Sequence, residues 1–216
     1  MKKTISDKEI PEVLDILEEM HPEAMCALDF GTQFQLLCAV ALSAQTTDVS
    51  VNKVTPELFA KYQDAAAMAE ADPQDVEQII RTIGLYKNKS KNIVKMSRML
   101  VDEFGGEVPG SYDDLVKLPG VGRKTANVVL AEGFGKARIA VDTHVFRVAN
   151  RIGITDGKDP LEVEEQLMER LPEDKWIRAH HLLILHGRKV CHARKPDCES
   201  CGTKHICRYC RNGGKE

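Results

Sequence analysis

The chain has 216 residues, of which 43% are hydrophobic, so it can fold as one large domain or two small ones. Its formal charge is only −3, which gives no sign of a polyanionic partner. The longest apolar run, Leu36 to Leu42, is much shorter than a membrane-spanning helix, and the first nine residues lack the apolar stretch of a secretory signal. These features predict a cytoplasmic protein with no membrane partner, in which the seven cysteines form no disulfide framework.

Helix start signals recur along the chain, each a capping side chain followed by an acidic residue or by proline. They begin at Ser6, Thr55, Asp72, Ser111 and Asp159. The apolar residues between them follow helical spacing, and clusters of glycine and proline separate the segments. The one strand-like segment, residues 137–141, is too short to support a sheet. The sequence therefore predicts an all-α fold.

A tight connection between two helices is predicted around Pro119, where the first helix must stop. Two glycines follow, and a second helix begins near Arg123. The N–H groups of such a turn and of the next helix bind phosphate well, although an ordinary helix–helix corner has the same pattern. Cations around the turn favour the phosphate interpretation. They are Lys117, Arg123 and Lys124.

Asp142 follows Lys124 by eighteen residues, in the segment Val-Asp-Thr-His-Val-Phe-Arg-Val. Considered alone, its carboxylate is best interpreted as the cap of the helix that comes next. A capping carboxylate can also act in catalysis when it faces a cleft. Both interpretations stay open at this point.

The cysteines are concentrated at one end of the chain. Cys26 and Cys38 lie among apolar neighbours and are predicted to be core residues. The other five are Cys191, Cys198, Cys201, Cys207 and Cys210. The segment 186–211 that contains them carries a formal charge of +5, which leaves −8 on the remainder. Spacing alone slightly favours a zinc site formed by the last four cysteines over an iron–sulfur cluster at the first four.

Two segments, Leu-Pro-Gly-Val-Gly-Arg-Lys-Thr-Ala-Asn-Val-Val-Leu at 118–130 and the Asp142 segment, closely resemble the helix-hairpin-helix DNA glycosylases of the endonuclease III branch. The resemblance extends to residues 43–48, residues 84–87 and the cysteine spacing after residues 186–188. It implies two helical domains with a DNA-binding cleft between them. These are a six-helix domain at 26–136, containing the hairpin at about 112–131, and a cluster domain of residues 1–25 plus 137–216.

The resemblance implies an enzyme that removes oxidised pyrimidines from duplex DNA and then cuts the strand. Lys124 would attack the sugar carbon that bears the damaged base, and β-elimination would follow on the 3′ side. Asp142 would stabilise positive charge and assist proton transfer. The expected partner is duplex DNA with damaged bases or abasic sites, bound by a monomer associated with the nucleoid. Mispaired bases are the alternative substrates. A non-catalytic DNA-binding module and an iron–sulfur electron carrier are the alternative classes.

The same resemblance assigns Gln45 to the space left by a flipped base and Leu85 to a wedge beside the partner base. Without it, Gln45 could simply end a helix and Leu85 would be a core residue. The segment 86–92 has three lysines and no acid, which supports DNA contact there. The further DNA-contact residues are Lys87, Gly120, Gly122, Arg123, Arg194 and Lys195. Ser43, Asp48 and His144 are candidates for the base pocket, with helix capping equally compatible.

For the metal, the resemblance selects a [4Fe–4S] cluster in the loop 191–207. Its ligands would be Cys191, Cys198, Cys201 and Cys207, and Cys210 would be spare. We expect the cluster to be structural, since its ligands lie far in sequence from Lys124 and Asp142. Fixing the shape of this basic loop would direct its cations towards phosphates.

Overall fold

The computed structural model describes residues 4–214, which form twelve α-helices, three short 3₁₀ helices and no β-strand. The α-helices are α1 (Ile10–Met20), α2 (Gln33–Leu42), α3 (Asp48–Lys61), α4 (Ala65–Ala69), α5 (Pro73–Ile80), α6 (Tyr86–Phe104), α7 (Tyr112–Leu115), α8 (Arg123–Phe134), α9 (Thr143–Ile152), α10 (Pro160–Arg170), α11 (Trp176–Lys189) and α12 (Arg208–Arg211). The 3₁₀ helices are Asp7–Glu9, Glu173–Lys175 and Gly202–His205. The predicted all-α class is confirmed. None of the helices in residues 4–214 combines the length and apolar character needed to span a membrane.

The predicted helix start at Thr55 is wrong. α3 begins earlier, at Asp48, because the hydroxyl of Thr47 accepts the Ser50 N–H at 3.2 Å and caps the helix there. Pro56 lies inside α3, where its ring removes one backbone donor without ending the helix. The other four predicted starts coincide with the N-caps of observed helices. Those N-caps are Ser6, Asp72, Ser111 and Asp159.

The chain divides into two compact units. The terminal unit comprises Met1–Cys26 and Ala137–Glu216, and the central unit comprises Ala27–Lys136. The expected boundary placed Cys26 in the central unit, whereas it belongs to the terminal one.

The central unit contains α2 to α8 around a core of fully buried side chains. They include Leu36, Leu37, Met96, Leu100 and Leu115. Burial of each large aliphatic side chain stabilises the fold by roughly 1.5–3 kcal/mol. α6 packs against α2, α4 and α5, and α2 also packs against α8. Gly133 permits the approach of α2 to α8, because a Cβ there would lie 3.1 Å from Leu36 Cδ2. This packing fixes the starts of α6 and α8, which carry the predicted DNA-contact residues.

The terminal unit brings the N-terminal helix α1 together with α9 to α12. Its buried core includes Val13, Leu17, Val145, Val148 and Leu183. Arg178 of α11 strengthens the packing on α1, since its guanidinium donates to the Glu18 carboxylate (Nε to Oε2, 2.7 Å) and to the Ala24 carbonyl. Residues 137–141, the strand candidate, form neither helix nor strand, and the Ala140 carbonyl accepts a hydrogen bond from His180 Nδ1 at 2.8 Å. The unit thereby fixes Asp142 at the start of α9.

Candidate functional site

The hairpin turn between α7 and α8 has two glycines with different physical roles. Gly120 has φ +82°, and a Cβ there would lie 3.1 Å from Asn92 Cβ, so both backbone and space require glycine. Gly122 has φ −101° and open space around its Cα. It is the N-cap of α8 and contributes no capping side chain. The first turn of α8 is therefore not covered by a cap side chain and is suited to an anion such as phosphate.

The cations around this turn are not equivalent. Lys117 Nζ donates to Asp114 Oδ1 at 2.7 Å, so its charge is paired within the hairpin. The Arg123 guanidinium lies 5.9 Å from the centroid of the Tyr112 ring. Lys124, the second residue of α8, is exposed. Lys124 can therefore approach a ligand directly, whereas Lys117 would first have to leave its ion pair with Asp114.

Asp142 is the N-cap of α9, in the terminal unit, whereas Lys124 belongs to the central unit. Its Oδ1 accepts the backbone N–H groups of His144 and Val145, both at 2.8 Å. Its other oxygen, Oδ2, takes no part in these two bonds. The Asp142 carboxylate can therefore cap α9 through Oδ1 while Oδ2 takes part in catalysis. The capping and the catalytic interpretations of Asp142 are compatible.

His144, a candidate for the base pocket, lies one turn from Arg147. The Arg147 guanidinium donates to His144 Nδ1 at 3.2 Å, which leaves the ring proton on Nε2 when the imidazole is neutral. Burial lowers the pKa of His144, and the positive charges of Arg147 and Arg188 act in the same direction against the opposing effect of Asp142. The environment therefore favours a neutral ring.

Three non-glycine residues within residues 4–214 have left-handed backbone conformations, and all three belong to the predicted DNA-contact set. They are Gln45 (φ 55°), Leu85 (φ 59°) and Lys195 (φ 53°). Such conformations are strained for residues with a side chain and are found preferentially at functional sites. Leu85 is also 55% exposed, which rules out the alternative interpretation that it is a core residue. Gln45 is likewise exposed, just beyond the end of α2.

A buried lysine links the chain segments that carry Gln45 and Leu85. Lys89 Nζ donates to Thr46 Oγ1 at 2.7 Å, although only 7% of Lys89 is exposed. Burial lowers the pKa of Lys89. The three lysines of residues 86–92 are therefore not all surface cations, since Lys89 is used inside the protein to hold the two segments together. This role of Lys89 has no local sequence signal, because its partner Thr46 lies far away along the chain.

The remaining base-pocket candidates lie near Gln45. Ser43 is the C-cap residue of α2, and its hydroxyl donates to the Val40 carbonyl at 2.8 Å. Asp48 is the first residue of α3, and a carboxylate at this position is stabilised by the positive end of the helix dipole. Both residues therefore have a local structural role as well.

All five cysteines of the C-terminal segment line one pocket. Its other walls include Ile152, Val190 and Tyr209, so the sulfurs lie in a largely apolar setting. Burial raises the pKa of four of these thiols, and that of Cys198 to about 11. The structure thus places the four proposed ligands together and places Cys210, predicted to be spare, beside them. No group of three metal-ligating side chains within residues 4–214 has the geometry for a single metal ion.

Two arginines of α9 hold the start of the cysteine loop. Arg147 Nε donates to the Cys191 carbonyl at 3.1 Å. Arg151 donates to the carbonyls of His192 at 2.7 Å and Ala193 at 3.1 Å, and its Nη1 lies 3.8 Å from Cys191 Sγ. The exposed Arg194 and Lys195 follow directly. The sequence analysis did not identify these anchoring arginines.

A buried pair of histidines adjoins the third cysteine. His21 Nε2 and His186 Nδ1 are 3.0 Å apart, and His186 Nε2 lies 3.5 Å from Cys201 Sγ. Burial lowers the pKa of both rings, that of His186 to about 4. With both rings neutral, His186 can direct one N–H towards the sulfur while accepting the His21 proton. The terminal helix α1 is thereby linked to the cysteine pocket.

Comparison with known proteins agrees with the fold and the motifs. The family model of the HhH-GPD superfamily of base excision DNA repair proteins matches residues 38–173. Endonuclease III of Synechocystis sp. is 48% identical over 209 residues, covering 96% of this chain and 95% of that protein. Endonuclease III of Bacillus subtilis is 50% identical over 202 residues, covering 93% of this chain and 92% of that protein. The structure of a trapped endonuclease III–DNA covalent intermediate superposes with a TM-score of 0.92 at 46% identity, covering 98% of this chain and 100% of that one.

The family model matches more than half of the chain. The chain is therefore a base excision DNA repair protein of the HhH-GPD superfamily. Within that class, the chain belongs to the endonuclease III family.

Proposed function

We propose that this protein is a bifunctional DNA glycosylase and abasic-site lyase that removes oxidised pyrimidines from duplex DNA. The single observation that carries the proposal is the position of Lys124, an exposed amine in the first turn of α8 behind a glycine N-cap. An amine so placed can approach a sugar whose phosphates lie at the helix N-terminus. A protein that only binds DNA could use Lys124 to contact phosphate, but it would have no use for Lys124 paired with Asp142.

The proposed reaction begins when the neutral amine of Lys124 attacks C1′ of the damaged nucleotide. The C1′–N bond breaks, its electron pair leaves with the base, and the base takes up a proton. The sugar ring opens to give an iminium ion joined to Lys124. Loss of a C2′ proton then expels the 3′ phosphate oxygen, and water releases the enzyme. Asp142 assists these proton transfers and stabilises the cationic sugar through the oxygen that is not used for capping.

Access to C1′ requires the damaged base to leave the helical stack. We assign the filling of the resulting gap to Gln45 and the wedge to Leu85. Their exposure and left-handed backbones support this assignment, because strain is maintained where it presents a side chain to a ligand. Lys87, Arg123, Arg194 and Lys195 are exposed cations that suit phosphate contacts. Ser43, Asp48 and His144 remain our candidates for the base pocket.

We further propose that Cys191, Cys198, Cys201 and Cys207 hold a [4Fe–4S] cluster. The residues present fit such a group, since all four sulfurs line one pocket with apolar walls and an arginine beside Cys191. Deprotonation of buried thiols is unfavourable alone and becomes favourable beside iron. When bound, the cluster supplies a covalent tie that fixes the loop. Arg147 and Arg151 anchor the same loop, so that Arg194 and Lys195 are presented at its surface.

A strand-cleavage assay tests the proposal. The wild-type protein should cut an abasic duplex and a duplex with an oxidised pyrimidine, leaving the 3′ product of β-elimination. K124Q should lose both activities, while K117Q, which removes an ion-paired lysine of the same hairpin, should retain them. Cleavage only of duplexes with mispaired bases would contradict the proposed substrate class. Unchanged cleavage by K124Q would contradict the assignment of the nucleophile.

A further inference from the structure

The fifth cysteine of the pocket, Cys210, has no role in the four-ligand assignment. It lies in the single turn of α12, is only partly exposed and packs against the core of the terminal unit. It lines the same pocket as the four proposed ligands. Cys210 is therefore a residue of the pocket and not a surface cysteine.

Cys210 contacts two of the four proposed ligands. Its thiol lies close to the thiols of Cys198 and Cys207, and all three residues line the same pocket. Cys207 is the N-cap of α12, so Cys210 follows it by one helical turn and shares its face. The two contacted cysteines come from different segments of the loop. Cys210 therefore lies beside two of the sulfur positions that would hold the cluster.

Cys191 occupies a different environment. Its sulfur is contacted by Arg151, and its carbonyl is held by Arg147. Both arginines belong to α9 and hold the segment that carries Cys191 there, whereas Cys207 precedes Cys210 by one turn at the start of α12. We therefore expect Cys210 to stay on the α12 side of the pocket, beside Cys207, and not to reach the position of Cys191.

We propose that Cys210 is a substitute ligand, able to replace Cys207 or Cys198 in holding the iron–sulfur cluster but not Cys191. The inference rests on the proposed cluster. In such an exchange the Cys210 thiol would give its proton to solvent and take the place of the lost ligand, and a displaced cysteine, where one is still present, would take up a proton. The number of thiolates stays at four, and no electron is transferred. The cluster thus survives loss of a ligand on the α12 side of the pocket.

The test measures iron and inorganic sulfide per chain, together with visible absorption, in full-length protein purified without air. C207A should retain its iron, whereas C207A/C210A should lose it. Both variants lack Cys207, so the difference in iron content between them measures the contribution of Cys210 alone. C210A should keep the full wild-type content, because the four usual ligands remain. C191A should lose its iron although Cys210 is present.

A second pair, C198A and C198A/C210A, covers the case in which C207A does not fold. Retention of iron in either single variant, with loss in the matching double variant, supports the proposal. Loss in both single variants overturns it. Loss in C210A together with retention in C191A also overturns it, since Cys210 would then be a primary ligand. Zinc in place of iron in the wild-type protein would instead contradict the proposed cluster, which keeps the two failures distinguishable.

Discussion

Substitution of Asp142 separates its capping role from its proposed role in catalysis. Its Oδ1 accepts two backbone N–H groups at 2.8 Å, and loss of such a cap costs about 1 kcal/mol. For a cooperative unit of this size, that corresponds to a decrease in Tm of roughly 2–4 °C. D142A should therefore be less stable than wild type by this amount. D142N should keep nearly the full stability, because asparagine caps equally well through its own Oδ1.

The effects of these substitutions on cleavage activity should differ from their effects on stability. D142N places an amide nitrogen where Oδ2 was and removes the charge, so we expect cleavage of an abasic duplex to fall about 10²- to 10⁴-fold. Asp159 provides the matched control, since its Oδ1 caps α10 through the N–H groups of Leu161 and Glu162 at 2.9 and 3.0 Å. D159A should lose stability as D142A does and retain full activity.

Two measurements decide the matter, the Tm by circular dichroism and the single-turnover rate of strand cleavage. Wild-type cleavage by D142N would refute the catalytic role of the carboxylate. An unchanged Tm for D142A, with a lowered Tm for D159A, would refute the reasoning about the cap.

Three further predictions concern the hairpin, the loops and pH. G120A should lower the free energy of unfolding in urea by about 1 kcal/mol or more, because Gly120 has φ +82° and a Cβ there would meet Asn92. G122A should lower it less, since a Cβ fits at Gly122 and only the N-cap preference for glycine is lost; equal effects would contradict the different roles of the two glycines. K89M should weaken binding to an abasic duplex roughly tenfold and leave the salt dependence of that binding unchanged, because Lys89 is buried and bonded to Thr46. K87M should instead reduce the salt dependence of binding, because Lys87 is an exposed cation. Burial lowers the pKa of His144 from its ordinary 6.5, so the unfolded chain binds this proton first and stability is lost as the pH falls below about 6.5. H144Q should therefore lose less stability than wild type between about pH 7 and 5, and an equal loss would refute the assignment.

Local signals predicted much of the fold. The caps at Asp72, Ser111 and Asp159 depend on a side chain and the backbone next to it, so their positions can be inferred from a few residues. The start at Thr55 failed for a related reason, since proline was interpreted as a first helical residue while the effective cap was Thr47. A short pattern cannot distinguish a proline that begins a helix from one tolerated inside it.

The interior contacts of the candidate site could not be predicted in this way. Lys89 was one of three similar lysines in a polar segment, and its burial depends on Thr46, which is 43 residues away in the chain. The contact of His21 with His186 joins residues separated by 165 positions. The left-handed backbones of Gln45 and Leu85 likewise have no sequence signal, because neither is a residue type that favours this conformation. Tertiary packing determines all of these features.

Mapping of the trapped adduct identifies the nucleophile, which we propose to be Lys124. The wild-type protein is incubated with an abasic duplex and borohydride, digested, and the DNA-modified peptide is located by mass spectrometry. We expect the modification at Lys124. Modification at another lysine, such as Lys87 or Lys89, would contradict it.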